Sequence, residues 1–407
     1  MTDLQITTVN DFDENGIFPL RTIRANGKTV QTPTVANQVQ KLREHESLHS
    51  DSRGVNELYR TVGGDDLDEA MRKADGGKIN ESLRKQYEKT ADDELTITFT
   101  KYTETSTLGP AHSKYYATLH AAYSDIITVP LMTNLVRNVD PDNGLADPSY
   151  RSLKKSIVAF LNQVEDFHPE KPVMGLLPKL GWTYLDDLVE VYESYGIRAY
   201  AFDFDRTKAT TANQIGMIGP LMQNIANRGI EEHVLCYAIN LRRGTKDDVL
   251  NALPAADITS LGLGFDVIGG THISPRRPPE AFEDTEADQR EEDEPQFRLF
   301  NRSEWLYRDI PVSRLPEAFP EESEFNAEAV AERVRRSPSN AKSRLQHLVN
   351  GEQKALAAAD LRSVLESGNA FDTVARKQGV TAQAQMALRQ VRGSFDEERF
   401  QAGLDDF

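Results

Sequence analysis

Asp266 has the surroundings most suggestive of chemistry. It lies in the stretch LGLGFDVIGGTH (261–272), where a short apolar run leads into one carboxylate and a Gly269-Gly270 turn follows. Because the carboxyl ends of strands carry the chemistry of α/β folds, we expect Asp266 to face a pocket as a nucleophile or general base. An Asx turn that closes the strand is an equally good interpretation.

Two more carboxylates, Asp203 and Asp205, end the apolar run AYAFDF. Side chains alternate along a strand, so these two point to the same side and at least one should face the same pocket. A second acid would allow one carboxylate to attack while the other transfers a proton. A salt bridge to Arg206 or Lys208 is the alternative.

Other candidates stand in loops next to predicted elements. Asp51, in HSDSRGVNELYR, is either a further acid or a helix cap. His272 follows the glycine turn and is either a site residue or an ordinary polar side chain. The pairs Arg242-Arg243 and Arg276-Arg277 follow strands, where they would either bind phosphates or balance local charge.

Apolar runs place these residues in an α/β fold. Most runs are continuous, as expected for strands buried on both faces of a parallel sheet. The predicted strands are 95–102, 125–132, 172–178, 199–204, 234–241 and 262–268. Helical segments fit between them, with Thr183 and Thr245 as predicted N-caps. No Gly-rich dinucleotide fingerprint follows an early strand, so this rhythm favours a closed (β/α)8 TIM barrel over an open sheet.

Segments outside this alternation of strands and helices complete the predicted architecture. Residues 20–35 should form an N-terminal β-hairpin around Asn26-Gly27, whereas 36–92 lean towards helix. Residues 280–296 hold nine acids and are expected to be a solvated, disordered insertion. We therefore predict a barrel domain over 1–316 and a helical C-terminal region over 317–407.

Composition limits the possible partners and compartment. The 407 residues carry a net charge of −17 and include 17 Lys against 30 Arg, which favours a protein adapted to molar salt over an ordinary acidic cytoplasmic one. Such acidity opposes nucleic-acid binding at moderate ionic strength, but it does not decide the question in a saline cytoplasm. No stretch approaches the roughly 18 apolar residues of a membrane span, and the N-terminus lacks a signal core, so we expect a cytoplasmic protein without a membrane partner.

The only cysteine, Cys236, lies in the apolar run VLCYAINL and is predicted to be a packed core thiol. A single cysteine excludes an internal disulfide and a thiolate zinc cluster. We predict no metal site and no cofactor.

An ordered series of segments resembles the tRNA-guanine transglycosylases, (β/α)8 enzymes that exchange guanine for a 7-deazaguanine base. It comprises the hairpin ending at Thr32-Pro33, SDIITVPL, PVMGLLPKLGWTYLDDLVEVYESYGIRAYAF, NLRRGTKDDVLNAL, GFDVIGGTH, FRLFNRSEWLYRDI and SRLQHLVNGEQKAL. The resemblance implies that Asp266 is the nucleophile forming a covalent ribosyl intermediate and that Asp51, in SDSRGV, is the acid/base aspartate. It also implies nucleic acid, DNA or tRNA, as the partner and a 7-deazapurine as the incoming base.

Departures from the family pattern point to a divergent branch. No cysteine follows residue 236, so the family's three-cysteine, one-histidine zinc site is absent. Its base-recognising aspartate falls near Leu131, and Asp203-Phe204 replaces a Gly-Gly pair. These changes are compatible with a zinc-less relative, such as those that install 7-deazaguanines in DNA.

We expect a base-exchanging glycosyltransferase in which Asp266 displaces guanine and Asp51 or Asp203 accepts the proton of the incoming base. Gly269, Gly270, His272 and the arginine pairs would bind substrate. The alternative is a catalytically inactive barrel that binds nucleic acid or serves as a partner subunit, and the chain could also form a homodimer. A lyase or hydrolase of a small phosphorylated substrate is a third possibility.

Overall fold

The computed structural model describes residues 4–9, 20–229, 233–273, 294–368 and 370–393. They form a mixed α/β fold with parallel sheets. The strands are β1 (Gln5–Thr8), β2 (Arg21–Ala25), β3 (Lys28–Thr32), β4 (Thr34–Val35), β5 (Asn37–Gln38), β6 (Val55–Val62), β7 (Leu95–Tyr102), β8 (Ile127–Thr128), β9 (Val173–Leu177), β10 (Ala199–Asp203), β11 (Leu235–Ile239), β12 (Leu253–Pro254), β13 (Val267–Ile268), β14 (Gln296–Asn301) and β15 (Leu306–Pro311). The α-helices are α1 (Gly64–Arg72), α2 (Gly77–Tyr87), α3 (Pro110–Tyr123), α4 (Thr133–Arg137), α5 (Pro148–Phe167), α6 (Trp182–Ser194), α7 (Ala212–Asn227), α8 (Leu315–Ala318), α9 (Ala327–Arg336), α10 (Pro338–Glu366), α11 (Ala370–Ala375) and α12 (Ala382–Gly393).

The larger sheet has six parallel strands in the order β4-β13-β11-β10-β9-β8. Every residue of β9, β10 and β11 is buried. Apolar side chains on both faces of these strands pack against neighbouring elements, which explains why their sequences are continuous apolar runs. The expected parallel sheet is therefore confirmed.

A second parallel sheet has the order β5-β6-β7 and adjoins the first at both edges. Only Ala36 separates β4 from β5 along the chain. At the other side, bridges join Ile97 to Ile126 and Lys101 to Leu131, both in parallel orientation.

The N-terminal hairpin is confirmed, with β2 and β3 paired antiparallel. Asn26 and Gly27 at its turn have φ values of 52° and 76°. This left-handed backbone is the one that an Asn-Gly hairpin turn requires. Strand β1 extends the hairpin into a three-stranded sheet.

Several local predictions were wrong. Helix α6 begins at Trp182 with Gly181 as its N-cap residue, so Thr183 lies inside the first turn. No helix follows Thr245, because the Asp247 carboxylate accepts backbone N–H groups of Val249 and Leu250 and holds a turn. Strand β6 lies within the segment expected to be mainly helical.

The predicted strand 262–268 is also wrong over most of its length. Residues Ile258–Leu263 form a 3-10 helix, which ends at Gly264 with a φ of 91°. A left-handed residue interrupts an extended chain, so pairing starts only at Val267. Asp266 therefore precedes its strand instead of following it.

Strands β12, β14 and β15 form an antiparallel sheet in the order β12-β15-β14. The helices that follow β15 agree with the helical region predicted over 317–407. Residues from β14, α9 and α10 form a second apolar core that includes Phe297, Val330 and Leu345. The 29-residue helix α10 also contacts β4 and β5 of the parallel sheets. Most of the acidic insertion, residues 280–293, lies outside the described residues.

Candidate functional site

A buried carboxylate, Glu57, organises the polar side chains at the carboxyl ends of the central strands. Its Oε1 accepts a 2.6 Å hydrogen bond from the Tyr237 hydroxyl, and its Oε2 accepts a 2.8 Å bond from the Gly270 amide. His272 Nε2 lies 2.9 Å from Glu57 Oε2, and both side chains are fully buried. We name Glu57, Tyr237 and His272 the carboxylate–imidazole cluster.

The Gly269-Gly270 turn is needed because this cluster fills the adjacent space. A Cβ on Gly269 would overlap Glu57 Oε1 and lie 2.5 Å from the Tyr237 ring. One on Gly270 would overlap the Gln38 amide and lie 2.7 Å from Glu57 Oε2. The two glycines therefore allow the close approach of the cluster, and their role in substrate binding stays a prediction.

His272 is held from three sides. Its amide donates a 2.6 Å hydrogen bond to Asn240 Oδ1, and its ring stacks on Tyr59 and Phe99 with centroids 4.6 and 5.3 Å away. Neither ring nitrogen meets hydrogen-bond geometry with a partner among the described residues, despite the short distance to Glu57. The imidazole is thus fixed in place, although both of its buried ring nitrogens lack a hydrogen-bond partner among the described residues.

Asn240 connects His272 to Asp203. It follows β11 with a φ of 57°, and its Nδ2 donates a 2.8 Å hydrogen bond to Asp203 Oδ1. The Asp205 amide donates a second bond of 2.9 Å to the same oxygen. No described residue donates to Oδ2, so this oxygen can meet a substrate. Burial raises the pKa of Asp203, and the two hydrogen bonds oppose that rise.

Asp203 and Asp205 both line a cavity of about 130 Å³ at the end of β10. The other residues that line it are apolar or cationic, apart from the hydroxyl-bearing Thr133, and comprise Met132, Val136, Arg137, Leu176, Pro178 and Lys179. The volume is close to that of cavities of about 150 Å³ that accommodate a benzene-sized ring. The cavity combines room for a flat ring with two carboxylates.

Among the described contacts, neither Asp203 nor Asp205 forms a salt bridge with Arg206 or Lys208, so that alternative is wrong. Arg206 instead donates to the Ile273 carbonyl, and Lys208 contacts the Thr245 hydroxyl. Asp205 lies 3.7 Å from Arg137, a cation that lines the same cavity. The described ion pairs thus leave Asp203 without a cationic partner.

A wide cleft of about 740 Å³ opens beside the carboxylate–imidazole cluster. Among the described residues, five cations line it, together with Tyr59, His272, His347 and other uncharged residues, and none of the described lining residues is a carboxylate. The cations are Lys41, Arg206, Arg242, Arg243 and Arg298. We name this surface the basic cleft, and its charge is opposite to the overall charge of −17.

These cations differ in how far other groups neutralise them. Asp309 accepts two hydrogen bonds from Arg298, at 2.9 and 2.8 Å, and largely neutralises it. The guanidinium of Arg243 lies 4.4 Å above the Tyr307 ring, which fixes its position. Arg242 is exposed and has no carboxylate partner among the described residues. Arg242 and Arg243, which follow β11, therefore both line the basic cleft, and their binding of phosphate stays a prediction.

Asp266 lies elsewhere. It precedes the amino end of β13, and its side chain is completely buried. Arg21 Nη1 donates to both of its oxygens at 2.7 and 2.8 Å, while Thr32 and the Cys236 amide donate at 3.2 and 2.7 Å. Burial raises the pKa of Asp266, and Arg21 counteracts the rise. The expectation that Asp266 faces a pocket at a strand's carboxyl end is wrong, because its strand starts after it.

Asp51 is also remote from the Asp203 cavity. It is exposed in the 3-10 helix Ser50–Ser52, ahead of the amino end of β6. The capping group of that helix is the His49 side chain, which accepts from the Asp51 amide, so the cap interpretation of Asp51 is wrong too. Arg276 and Arg277 lie outside the described residues.

Sequence reasoning missed Glu57, Tyr237 and Asn240. Glu57 is an acid within the strand sequence VNELYRTV, which was a usable signal because a charge inside a buried strand needs a partner. Asn240 directly follows an apolar strand, as Asp203 does. The described residues contain no group of three or more His, Cys, Asp or Glu side chains placed to hold a metal ion.

No helix within the described ranges combines the length and apolar character needed to cross a bilayer. The buried thiol of Cys236 agrees with the prediction of a core residue.

No protein-family model matches the sequence, and no curated protein matches it. Among solved structures, the GH53 catalytic domain of Ignisphaera aggregans is 10% identical with a TM-score of 0.32, covering 53% of this chain and 72% of its own. The carboxyl transferase domain of Rhizobium etli pyruvate carboxylase with 3-hydroxypyruvate is 12% identical with a TM-score of 0.33, covering 88% and 60%. The enoyl reductase domain of MlnA from Bacillus amyloliquefaciens is 7% identical with a TM-score of 0.26, covering 86% and 96%. Similarities this weak carry no argument about function.

Proposed function

We propose that this chain is a glycosyl-transferring enzyme that exchanges a base on a nucleotide unit of nucleic acid, with Asp203 as the reacting carboxylate. The observation that carries the proposal is the basic cleft beside the carboxyl ends of the central strands. Cations concentrated in one cleft of an acidic protein favour a phosphate-bearing ligand. His272 lines this cleft and is linked through Asn240 to Asp203.

We also propose that the two parallel sheets form one closed eight-stranded barrel. The segment from β4 to β5 pairs with β13 on one side and with β6 on the other. The bridges between the β7 and β8 regions supply the remaining link. Such a barrel presents its chemistry at the carboxyl ends of the strands, where Asp203 and the basic cleft lie.

The reaction needs two groups with different tasks. Asp203 Oδ2 attacks C1′ of the sugar, and the bond from C1′ to the base breaks with its electron pair leaving on the base. The departing base takes its proton from solvent water. The incoming base then attacks C1′, breaks the ester to Asp203 and gives its N–H proton to Asp205, which lines the same cavity and passes that proton to the hydroxide left by the first step. The exchange is balanced and requires no redox cofactor.

The proposal is tested by following release of guanine and uptake of labelled guanine or a 7-deazaguanine with tRNA and with DNA, in high and low KCl. Asp203→Asn should abolish exchange, because an amide is a poor nucleophile, and wild type should form a covalent adduct on Asp203. Asp51→Asn is the matched control and should retain exchange. Exchange that survives in Asp203→Asn would overturn the assignment.

A second candidate is a non-catalytic barrel that binds nucleic acid. It is favoured by the burial of Asp266, the residue that the family resemblance matches with the nucleophile, under Arg21. Oligonucleotide binding without any base release or covalent adduct would establish this candidate over the enzyme.

A further inference from the structure

We propose that a small cavity between the Gly269-Gly270 turn and helix α10 binds the phosphate ester of a pentose. The cavity measures about 80 Å³ and is separate from the Asp203 cavity. The charged or titratable residues lining it are Lys41, Arg243, Asp257, His347 and Lys354. We name this cavity the phosphate subsite.

The subsite carries more positive than negative charge. Asp257 Oδ2 already accepts hydrogen bonds from the Tyr307 hydroxyl at 2.6 Å and from Lys354 at 3.1 Å. Lys41 has no carboxylate partner among the described residues, and burial lowers its pKa. Burial would raise the pKa of Asp257, the single carboxylate among the described lining residues, but Lys354 and Arg243 both lower it, so three cations share one anion in a partly buried space. A phosphate group would supply the missing negative charge.

His347 belongs to the same electrostatic environment. Burial, followed by the charges of Lys41, Arg243 and Lys354, lowers its pKa to about 3. The imidazole is therefore neutral at physiological pH and donates one hydrogen bond without adding charge. A bound anion would offset the neighbouring cations and raise this pKa, which makes His347 a reporter of occupancy.

Two unpartnered acceptors indicate that the ligand also carries hydroxyl groups. Asp257 Oδ1 and Gln38 Oε1 are buried and have no hydrogen-bond partner among the described residues. Both side chains line the subsite, and Asp257 is only 4% exposed. A phosphate group alone has few hydrogen-bond donors for these oxygens, whereas the hydroxyls of an attached sugar can donate hydrogen bonds to them.

The size of the subsite sets the position of the ligand. Because one water molecule needs only about 10–15 Å³ of such accessible cavity volume, a cavity of about 80 Å³ has room for a phosphate group and for the sugar hydroxyls next to it. Lys41, Arg243, Thr271 and His347 line both this cavity and the basic cleft. The remainder of the ligand can extend into the cleft.

The role of the phosphate subsite in substrate recognition rests on the proposed function. Binding to the subsite is measured without turnover and does not depend on that function. Calorimetry with the full chain should detect binding of inorganic phosphate. Ribose 5-phosphate should bind about tenfold more tightly than phosphate, because its sugar hydroxyls donate hydrogen bonds to the two acceptors. Ribose alone should not bind. The His347 ring signals in NMR should titrate at a higher pH once ribose 5-phosphate is present.

Substitution separates the subsite from non-specific charge effects. Lys41→Gln should weaken the binding of both phosphate compounds about tenfold or more. Lys342→Gln makes the same charge change on helix α10 outside the cavity and should leave their binding unchanged. Gln38→Leu should remove the preference for ribose 5-phosphate and retain phosphate binding. Circular dichroism of each variant establishes that it is folded. Absence of phosphate binding in wild type, or equal losses in Lys41→Gln and Lys342→Gln, would overturn the subsite.

Competition identifies the source of the phosphate ester. Displacement of ribose 5-phosphate by a single-stranded oligonucleotide would support a nucleic-acid backbone, and failure to displace it would support a free sugar phosphate. Base exchange without phosphate binding would refute the subsite alone. Phosphate binding without base exchange would refute the glycosyl-transfer proposal alone.

Discussion

Arg21 and Asp266 form a fully buried ion pair in which one guanidinium nitrogen contacts both carboxylate oxygens, at 2.7 and 2.8 Å. The pair joins the N-terminal hairpin to the amino end of β13. Its two side chains are 3% and 0% exposed, so neither charge can turn to solvent if the other is removed. The most suggestive carboxylate of the sequence therefore anchors the fold.

Asp266→Asn should destabilise the protein by about 3–5 kcal/mol, because it removes the buried negative charge that accepts two hydrogen bonds from the Arg21 guanidinium. Urea unfolding measures the change. Asp51→Asn is the control, since Asp51 is exposed, and it should stay within about 0.5 kcal/mol of wild type. An Asp266→Asn variant of wild-type stability would contradict the anchoring role.

Glu46 should stabilise the packing of helices α9 and α10 in a pH-dependent manner. Burial would raise its pKa, but contacts with Arg344 and Arg333 prevail and lower it to about 2. A carboxylate with a depressed folded-state pKa stabilises above its unfolded pKa and loses that contribution as the pH falls through the folded pKa. The difference in the free energy of unfolding between wild type and Glu46→Gln should thus be largest above about pH 4.5 and should decrease towards zero as the pH falls to about 2. A gap that does not change over this range would refute the prediction.

The fall of kcat/KM for the exchange reaction at low pH should report the protonation of Asp203. Burial raises the pKa of this carboxyl above its ordinary 3.8, so protonation removes the nucleophile at a higher pH than usual. Below that pKa, kcat/KM should fall about tenfold per pH unit. The measurement is a pH profile at constant ionic strength. An acid limb with a midpoint at or below 3.8 would exclude Asp203 as the ionised reactant.

Gly269→Ala should destabilise the protein by about 1–3 kcal/mol through overpacking against Glu57 and Tyr237. The matched control is Gly216→Ala in helix α7, where an added Cβ meets open space. That change should stabilise by about 0.5–1 kcal/mol, since alanine favours a helix interior. Denaturant midpoints of the two variants that move in the same direction would contradict the argument.

Arg242→Glu should weaken binding of a single-stranded oligonucleotide and lower the slope of log affinity against log salt by about 0.7. The reason is the loss of one phosphate contact in the basic cleft. Arg151→Glu, an exposed arginine on helix α5, makes the same charge change away from the cleft. Equal effects of the two substitutions would show that binding follows net charge only.

Local patterns predicted much of the secondary structure. Asn26-Gly27 specified a hairpin turn because few other residues adopt its left-handed backbone. The apolar periodicity of α5 predicted a helix, and Leu153, Ile157, Phe160, Leu161 and Val164 are all buried on one face. The glycine at 264 was also visible, but only the folded chain places it in a left-handed conformation that delays β13.

Sequence patterns alone predict the parallel sheet, the hairpin, the C-terminal helices and the presence of chemically capable residues after the strands. Which of these residues come together depends on the folded chain. Glu57 and His272 come from opposite ends of the sheet region and are brought together by strand pairing. Asp266 instead forms an ion pair with Arg21 of the hairpin. The physical reason is that a carboxylate's role depends on its desolvation and its partners, and those are supplied by residues distant in the chain.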